Sequence, residues 1–159
     1  MNIVVFGQDA RAAAVRDLLA SGGYAVSSSF DGSAPGAVVL ANGQYDLGLI
    51  DNALGTSATV LIDATDGKFD RPALEAAGAR LGTNRLVRAL LVLPQAGANV
   101  LCCADDREAM QIAEKIFKAC GCVPTDRGPL SNAAELQPPD RTLDGEFDTL
   151  KAANTSQEQ

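Results

Sequence analysis

The sequence contains no histidine and no tryptophan, and these absences narrow the chemistry open to it. Histidine is the commonest general acid–base group, so Ser-His-Asp and Cys-His catalytic arrangements are excluded. Only 4% of the 159 residues are aromatic, and the formal net charge is −7. Because nucleic acids and anionic membrane surfaces are bound through basic faces, we expect neither as a partner.

Long apolar runs are also scarce. The most apolar stretch, residues 86–94, is interrupted by Arg88 and is too short to span a bilayer. Residues 1–7 include no basic segment and only a short apolar run, so no secretory signal is predicted. We therefore expect a cytoplasmic protein. The length and the 47% hydrophobic content are typical of one globular domain.

The four cysteines form two close pairs, Cys102 with Cys103 and Cys120 with Cys122. A thiolate metal site would need all four ligands brought together, with no histidine to help. The pattern favours small buried hydrophobic residues in or beside strands. A thiol-based metal or redox role is the less favoured alternative.

Short apolar runs alternate with segments of helical periodicity, and this alternation indicates an α/β fold. Such runs are typical of parallel strands that are covered on both faces. We predict a doubly wound, mostly parallel, Rossmann-like sheet in a single domain. The predicted strands are 3–6, 24–27, 45–50, 58–62, 86–93, 99–104 and 122–126, the predicted helices are 10–21, 71–81 and 107–119, and residues 37–40 fit either a strand or a short helix.

The composition changes after Pro138 and Pro139. Residues 139–159 carry five acidic and two basic side chains and few apolar anchors. We predict one folded domain over residues 1–138. Residues 139–159 are predicted to form an acidic flexible tail or a docking segment.

The turn after the first strand is the most informative candidate site. Ligands of open parallel sheets lie at the carboxyl ends of the strands, where helix amides face a pyrophosphate. The fingerprint G-x-G-x-x-G/A is met at Gly7 and Ala12, but Asp9 replaces its second glycine. Asp9 would repel a pyrophosphate unless Arg11 offset its charge; alternatively, Asp9 is an N-cap. The candidate cofactor-binding residues of this turn are Gly7, Gln8, Asp9, Ala10, Arg11 and Ala12.

Three further turns end predicted strands. After the second strand, an acidic residue would accept hydrogen bonds from the ribose of NAD, whereas an arginine would favour NADP. Asp31 therefore indicates NAD, although Asp31 with Gly32 also fits a plain turn. The remaining candidate cofactor-binding residues are Ser28, Ser29, Asp31, Asp51, Asn52, Thr65 and Asp66.

Three motifs in the second half of the chain are specific: residues 87–90 (VRAL), 100–109 (VLCCADDREA) and 121–133 (GCVPTDRGPLSNA). They resemble the Rossmann domain of the deazaflavin-dependent NADP reductases, a group related to the reductase domain of the STEAP metalloreductases. That family carries patterns such as V-K-A-F-N, V-x-x-A-G-D-D-x-E-A and G-F-x-P-x-D-x-G-P-L-x-x-A. Residues 63–66 (DATD) are similar to its D-A-T-N. The resemblance covers roughly residues 1–138 and implies that they form a Rossmann-like dinucleotide-binding domain.

The resemblance implies NAD or NADP bound at the Gly7 turn and hydride transfer with a second cofactor stacked on the nicotinamide. Because the cofactors carry that chemistry, the lack of histidine does not exclude it. The resemblance identifies no catalytic side chain in this sequence.

The sequence departs from the family pattern at the residues expected to bind ligand. Asp9 replaces a glycine, Phe30 and Asp31 replace small and basic residues, and Asp66 and Leu91 replace asparagines; residues 51–57 stand where the family has a full helix. Two hypotheses follow. The chain is an NAD(P)-dependent oxidoreductase, or it is a non-catalytic Rossmann module with weakened or lost dinucleotide binding. The second would be a pseudoenzyme that acts through a protein partner. For the chain in general, the expected partners are a dinucleotide or another small nucleotide, and a protein partner or a second copy in a homodimer.

Overall fold

The computed structural model describes residues 1–30, 32–42 and 56–136. Its strands are β1 (Asn2–Phe6), β2 (Ala25–Ser27), β3 (Ala37–Leu40), β4 (Val60–Asp63), β5 (Leu86–Leu90), β6 (Asn99–Ala104) and β7 (Val123–Asp126). Its helices are α1 (Ala10–Ser21), α2 (Arg71–Leu81) and α3 (Arg107–Ala119), followed by a 3₁₀ helix (Leu130–Glu135). The predicted strand at 45–50 and the predicted tail lie outside the described residues.

All seven strands belong to one sheet, in the order β2-β1-β3-β4-β5-β6-β7. Only β5 and β6 pair antiparallel; the other neighbours are parallel. The chain moves outward from β1 to β2 and then returns to β3 on the other side of β1. The topological switch point therefore lies between β1 and β3. The predicted mostly parallel Rossmann-like fold is confirmed.

Each strand presents alternate side chains to two apolar layers. In β3, Ala37 and Val39 pack in the layer that also contains the buried residues of α1 and α3. Val38 and Leu40 pack in the opposite layer, with α2 and the 3₁₀ helix. Both faces of the sheet are thus covered by apolar layers. A polar binding site is therefore expected at the ends of the strands.

Aspartates begin all three helices. The carboxylates of Asp9, Asp70 and Asp106 accept hydrogen bonds from backbone amides of the first helical turns. Such caps satisfy amides that lack a partner within the helix. The three helices accordingly span the residues that the sequence predicts.

The predicted strand 99–104 has the same bounds as β6; β1, β2 and β7 differ from their predictions by one residue at the start, and β4 and β5 differ by more. β4 begins at Val60 rather than at residue 58, because Thr59 closes a turn onto the Thr56 carbonyl at 3.0 Å. β5 ends at Leu90 rather than at residue 93, and the carbonyl of Leu91 accepts a hydrogen bond from a side chain instead of a strand. Residues 37–40 form a strand.

All four cysteines are free and buried, as the sequence predicts. Burial raises the pKa of the Cys102 thiol to about 12 and that of Cys120 to about 11. Across residues 1–30, 32–42 and 56–136, no three Cys, Asp or Glu side chains group to hold a metal ion. No helix among these residues is long and apolar enough to cross a bilayer.

Candidate functional site

The chain turns sharply at Gly7, directly after β1 and beside the switch point. Gly7 has φ +127°, which side-chain-bearing residues rarely adopt. A Cβ at Gly7 would stand 2.8 Å from Ala12 Cβ and 2.8 Å from Asn42 Oδ1. Ala12 is fully buried against this turn. The predicted roles of Gly7 in the tight turn and of Ala12 in helix–strand packing are therefore confirmed.

Asp9 is the N-cap of α1. Its carboxylate accepts the amide of Ala12 at 2.9 Å, and its backbone is extended. The cap interpretation is thus confirmed, while the charge of Asp9 remains at the mouth of the turn. Gln8 and Ala10 are exposed beside it. Arg16 stabilises the turn, because its Nη1 donates a hydrogen bond to the Gly7 carbonyl at 2.9 Å.

The Arg11 guanidinium lies across the carboxyl ends of three neighbouring strands. Its Nε donates to the Ala41 carbonyl at 3.0 Å, beyond β3. Its Nη2 donates to Ala64 at 2.5 Å, beyond β4, and to Leu91, beyond β5. Its Nη1 donates to Val92 at 3.0 Å. Four of the five guanidinium N–H groups are therefore used within the protein.

Burial lowers the pKa of Arg11, and Asp66 and Asp9 oppose that shift. The side chain of Arg11 is only 14% exposed, and its Nη1 lies 4.0 Å from the exposed Asp66 Oδ2. Asp9 and Arg11 thus attract each other. However, the donors of Arg11 point at carbonyls of the strand ends rather than at the mouth of the turn.

A buried ion pair forms the next part of the same edge. Asp63 and Arg88 face each other in the β4–β5 register, and Arg88 Nη1 lies 3.1 Å from Asp63 Oδ1. The Thr65 hydroxyl donates to Asp63 at 2.8 Å and accepts from Arg88 at 2.7 Å. Thr65 is only 2% exposed, and both of these hydrogen bonds of its hydroxyl are made within the protein.

Arg88 has further partners on the same loop. Its Nη2 donates to the Gly67 carbonyl at 2.7 Å, and its guanidinium carbon lies 5.7 Å from the centre of the Phe69 ring. Its Nε is buried without a hydrogen-bond partner among the described residues, and so is Asn42 Oδ1. Sequence reasoning missed Asp63, Arg88 and Asn42 as site residues. The signal available for Arg88 was a charge inside an apolar run.

The remaining candidates lie near the end of β2 or outside the described residues. Ser28 and Ser29 are exposed, and the Ser27 hydroxyl donates to the Ser29 carbonyl at 2.8 Å. The structure thus brings together Gly7–Ala12, Thr65 and Asp66 at one sheet edge. Asp31, Asp51 and Asn52 are outside the described residues, so their predicted roles stay predictions.

No protein-family model and no curated protein matches this chain. Solved structures do resemble it. One is 3-hydroxyisobutyrate dehydrogenase from Mycobacterium tuberculosis, solved with L-serine: TM-score 0.65, 12% identity, covering 84% of this chain and 56% of that one. Another is an imine reductase from Myxococcus stipitatus in complex with NADP⁺: TM-score 0.63, 13% identity, covering 85% and 58%.

A third similar structure is 2-dehydropantoate 2-reductase from Methylococcus capsulatus, with a TM-score of 0.60 and 16% identity, covering 84% of this chain and 59% of that one. The chain therefore spans less than two thirds of the length of each of these three proteins. At such identities the likeness shows the fold, a Rossmann-like sheet shared with reductases and dehydrogenases.

Proposed function

We propose that this chain is an NAD(P)-binding Rossmann protein of oxidoreductase type that holds the pyrophosphate of its cofactor at the turn from Gly7 to Ala12. The observation that carries the proposal is the Gly7 turn at the switch point, whose backbone has no room for a Cβ. Exposed Gln8 and Asp9 lead there into α1, which begins at Ala10, and a helix start favours an anion.

The other candidate residues have roles along the same crevice. Ser28, Ser29 and Asp31 follow β2, the strand end from which ribose hydroxyls are bound in Rossmann proteins. An aspartate at residue 31 favours NAD over NADP. Asp51, Asn52, Thr65 and Asp66 would border the cofactor on the other side, Thr65 by holding the strand end in place rather than by direct contact.

The proposed reductase type within this class rests on the motifs at residues 87–90, 100–109 and 121–133. They favour a protein of the deazaflavin-dependent NADP reductase type, with residues 1–138 as its cofactor-binding domain and residues 139–159 as a tail. When bound, the nicotinamide supplies the hydride chemistry. The residues of this chain would bind and orient the cofactor and exclude water. A protein partner or a second copy of the chain would supply the substrate side of the crevice. We assign it to the cytoplasm.

A second candidate function is a non-catalytic nucleotide-binding module that acts through a protein partner. Two observations favour it. Asp9 keeps a negative charge at the pyrophosphate position, and the Arg11 guanidinium lies over the strand ends. At an effective dielectric constant of about 20, two unit charges 4 Å apart interact by roughly 4 kcal/mol. That upper limit is half of the binding free energy of a ligand with a micromolar Kd, which is roughly 8 kcal/mol.

Titration of Asp9→Asn with NADH and NADPH tests the proposed function. The amide oxygen keeps an acceptor for the Ala12 amide while the charge is removed. We expect weak binding to the original chain and binding about tenfold tighter in the variant, a change of about 1.4 kcal/mol. Calorimetry and nicotinamide fluorescence both report it. The matched control is Asp70→Asn, the same substitution at the cap of α2.

The two candidate functions differ in turnover. An oxidoreductase would transfer deuteride from 4-deuterated NADPH or NADH to an added deazaflavin, and mass spectrometry would detect the label. A nucleotide-binding module would bind without transfer. No binding of either dinucleotide to either protein at near-millimolar concentration would refute the proposed function itself.

A further inference from the structure

We propose that Arg11 determines which part of the nucleotide the site accepts: the ADP part is bound, and the nicotinamide part is excluded by the guanidinium. This inference rests on the proposed position of the pyrophosphate at the Gly7 turn. It favours the nucleotide-binding module over the oxidoreductase, because hydride transfer requires the nicotinamide inside the crevice. It assigns to Arg11 a role in specificity, in place of the charge compensation expected from its position in the fingerprint.

The topology sets where each half of a dinucleotide would lie. A dinucleotide crosses the switch point, with one nucleotide on each half of the sheet. From Gly7 the adenosine half points toward the end of β2. The other half must pass over the carboxyl ends of β3, β4 and β5.

Those three ends are covered by one side chain. Arg11 bridges the carbonyls of Ala41, Ala64, Leu91 and Val92, which follow β3, β4 and β5. Neighbouring strands lie about 4.8 Å apart, so the hydrogen bonds of this one guanidinium join strand ends that extend over about 10 Å of the sheet edge. A flat ring placed over the ends of β4 and β5 would occupy the same space.

The guanidinium has little reason to leave this position. Four of its N–H groups have carbonyl acceptors, and its side chain is 14% exposed. Displacing it would leave the carbonyls of the strand ends without these donors. Buried polar groups that lose their partners are unfavourable, and the carboxamide of a nicotinamide has two N–H donors where Arg11 uses four. The ring could therefore not replace all of these hydrogen bonds by entering.

Charge alone does not decide between the two halves. Arg11 and Arg88 are positive here, whereas Asp9, Asp63 and Asp66 are negative. The excess of one negative charge disfavours a pyrophosphate more than a nicotinamide. The exclusion of the nicotinamide therefore depends on the volume and the hydrogen bonds of Arg11.

The other side of the crevice is open in the described residues. Ser28 and Ser29 are exposed at the end of β2, and Gly32 has no atom within 4 Å of a Cβ position. A ribose and an adenine can therefore lie there while Arg11 stays in place. The ligand class that fits is an adenosine diphosphate group, free or as part of a larger molecule.

Calorimetric titration of the full chain with ADP-ribose and with NAD⁺ tests the inference. The two ligands share the ADP part and the second ribose, and only NAD⁺ carries the nicotinamide. We expect Kd values equal within about threefold for the original chain. In Arg11→Met, an apolar side chain replaces the guanidinium, and we expect NAD⁺ to bind about tenfold tighter than ADP-ribose.

The matched control is Arg107→Met. Arg107 is exposed at the start of α3, which follows β6. Because β6 runs opposite to β5, that helix start lies at the other edge of the sheet. The substitution changes the net charge as Arg11→Met does, and the ratio of the two Kd values should stay near one.

Two results would overturn the inference. In the original chain, NAD⁺ would bind at least tenfold tighter than ADP-ribose; or in a folded Arg11→Met variant, the ratio of Kd values would remain near one. The first result is measured on the original chain, so it can overturn the inference even if Arg11→Met does not fold. Failure of the proposed function looks different, because then neither ADP-ribose nor NAD⁺ binds either protein, and the inference falls with it.

Discussion

Among single residues, Gly7 is the one whose backbone leaves least room for change. In Gly7→Ala, the strained backbone costs about 1–3 kcal/mol. The new Cβ also meets Ala12 Cβ and Asn42 Oδ1 at 2.8 Å, and overpacking of this kind adds about 1–3 kcal/mol. We expect a large fall in the free energy of unfolding, measured by denaturant titration.

Gly23→Ala is the control for Gly7→Ala. Gly23 also has a positive φ, +92°, but no atom lies within 4 Å of its Cβ position. It should therefore lose only the part of stability that comes from backbone strain. Equal losses at the two positions would mean that the close approach at Gly7 is unimportant.

The Asp63–Arg88 pair makes a second prediction at the scale of residues. Asp63→Ala leaves the Arg88 guanidinium, itself 2% exposed, without its carboxylate. Breaking a buried ion pair from one side lowers stability by about 3–5 kcal/mol. Equilibrium unfolding in urea measures the loss.

An exposed ion pair provides the comparison for Asp63→Ala. Glu75 pairs with Arg71 at 3.3 Å on the surface of α2, and Glu75→Ala should change stability by less than about 1 kcal/mol. A loss at Asp63 no larger than at Glu75 would contradict the structural role of the buried pair.

The sequence predicts the role of Asp9 but not the contacts of Arg11. An N-cap depends on residues three positions apart, and Asp9 contacts Ala12. Arg11 instead contacts carbonyls 30 to 81 positions away, on strands whose order only the folded sheet defines. Such contacts leave no local pattern. The fingerprint therefore locates the site, and the tertiary structure determines how its space is filled.

At the scale of elements, local signals predict helices better than strand ends. Asp9, Asp70 and Asp106 mark the helix starts. By contrast, β4 begins after a backbone turn that the alternation of apolar residues does not reveal, and the residue after β5 contacts the distant side chain of Arg11. One sheet feature was available from the connection alone. Residues 91–98 are too few for the crossover that joins parallel strands, and β5 and β6 indeed pair antiparallel.

Gly78 shows how packing between elements overrides helix propensity. In an exposed helix, replacing glycine by alanine gains about 0.5–1 kcal/mol. At Gly78, a Cβ would lie 2.7 Å from Leu86 Cδ2 and 2.9 Å from the Thr83 carbonyl oxygen. Overpacking costs about 1–3 kcal/mol, so we expect Gly78→Ala to lower the melting temperature.

The neighbouring Ala79 is the control for Gly78→Ala. It is exposed on the same helix, so Ala79→Gly should lose about 0.5–1 kcal/mol from propensity alone. A rise in melting temperature for Gly78→Ala would show that the loop around Thr83 moves aside easily.

At the scale of the whole molecule, composition and periodicity are sufficient for the fold class. Continuous apolar runs are typical of parallel strands that are covered on both faces. The sheet is indeed parallel except where β5 pairs with β6. Ligand preference is a finer property. It depends on a few polar atoms at the strand ends, such as the four carbonyls that Arg11 contacts, and the fold class alone does not determine these contacts.

The buried cysteines have a consequence for observing how this molecule opens. The thiolate is the reactive form, and burial raises the pKa of Cys102 to about 12, so alkylation at neutral pH requires an opening of the structure. We expect Cys120 and Cys122, beside the end of α3 and the edge strand β7, to be labelled before Cys102 and Cys103 within β6. Mass spectrometry of pulse-labelled protein measures the order, and simultaneous labelling of all four would contradict it. The chain has no tryptophan to report unfolding by fluorescence. The labelling rates of its thiols would instead distinguish local opening at the sheet edge from global unfolding.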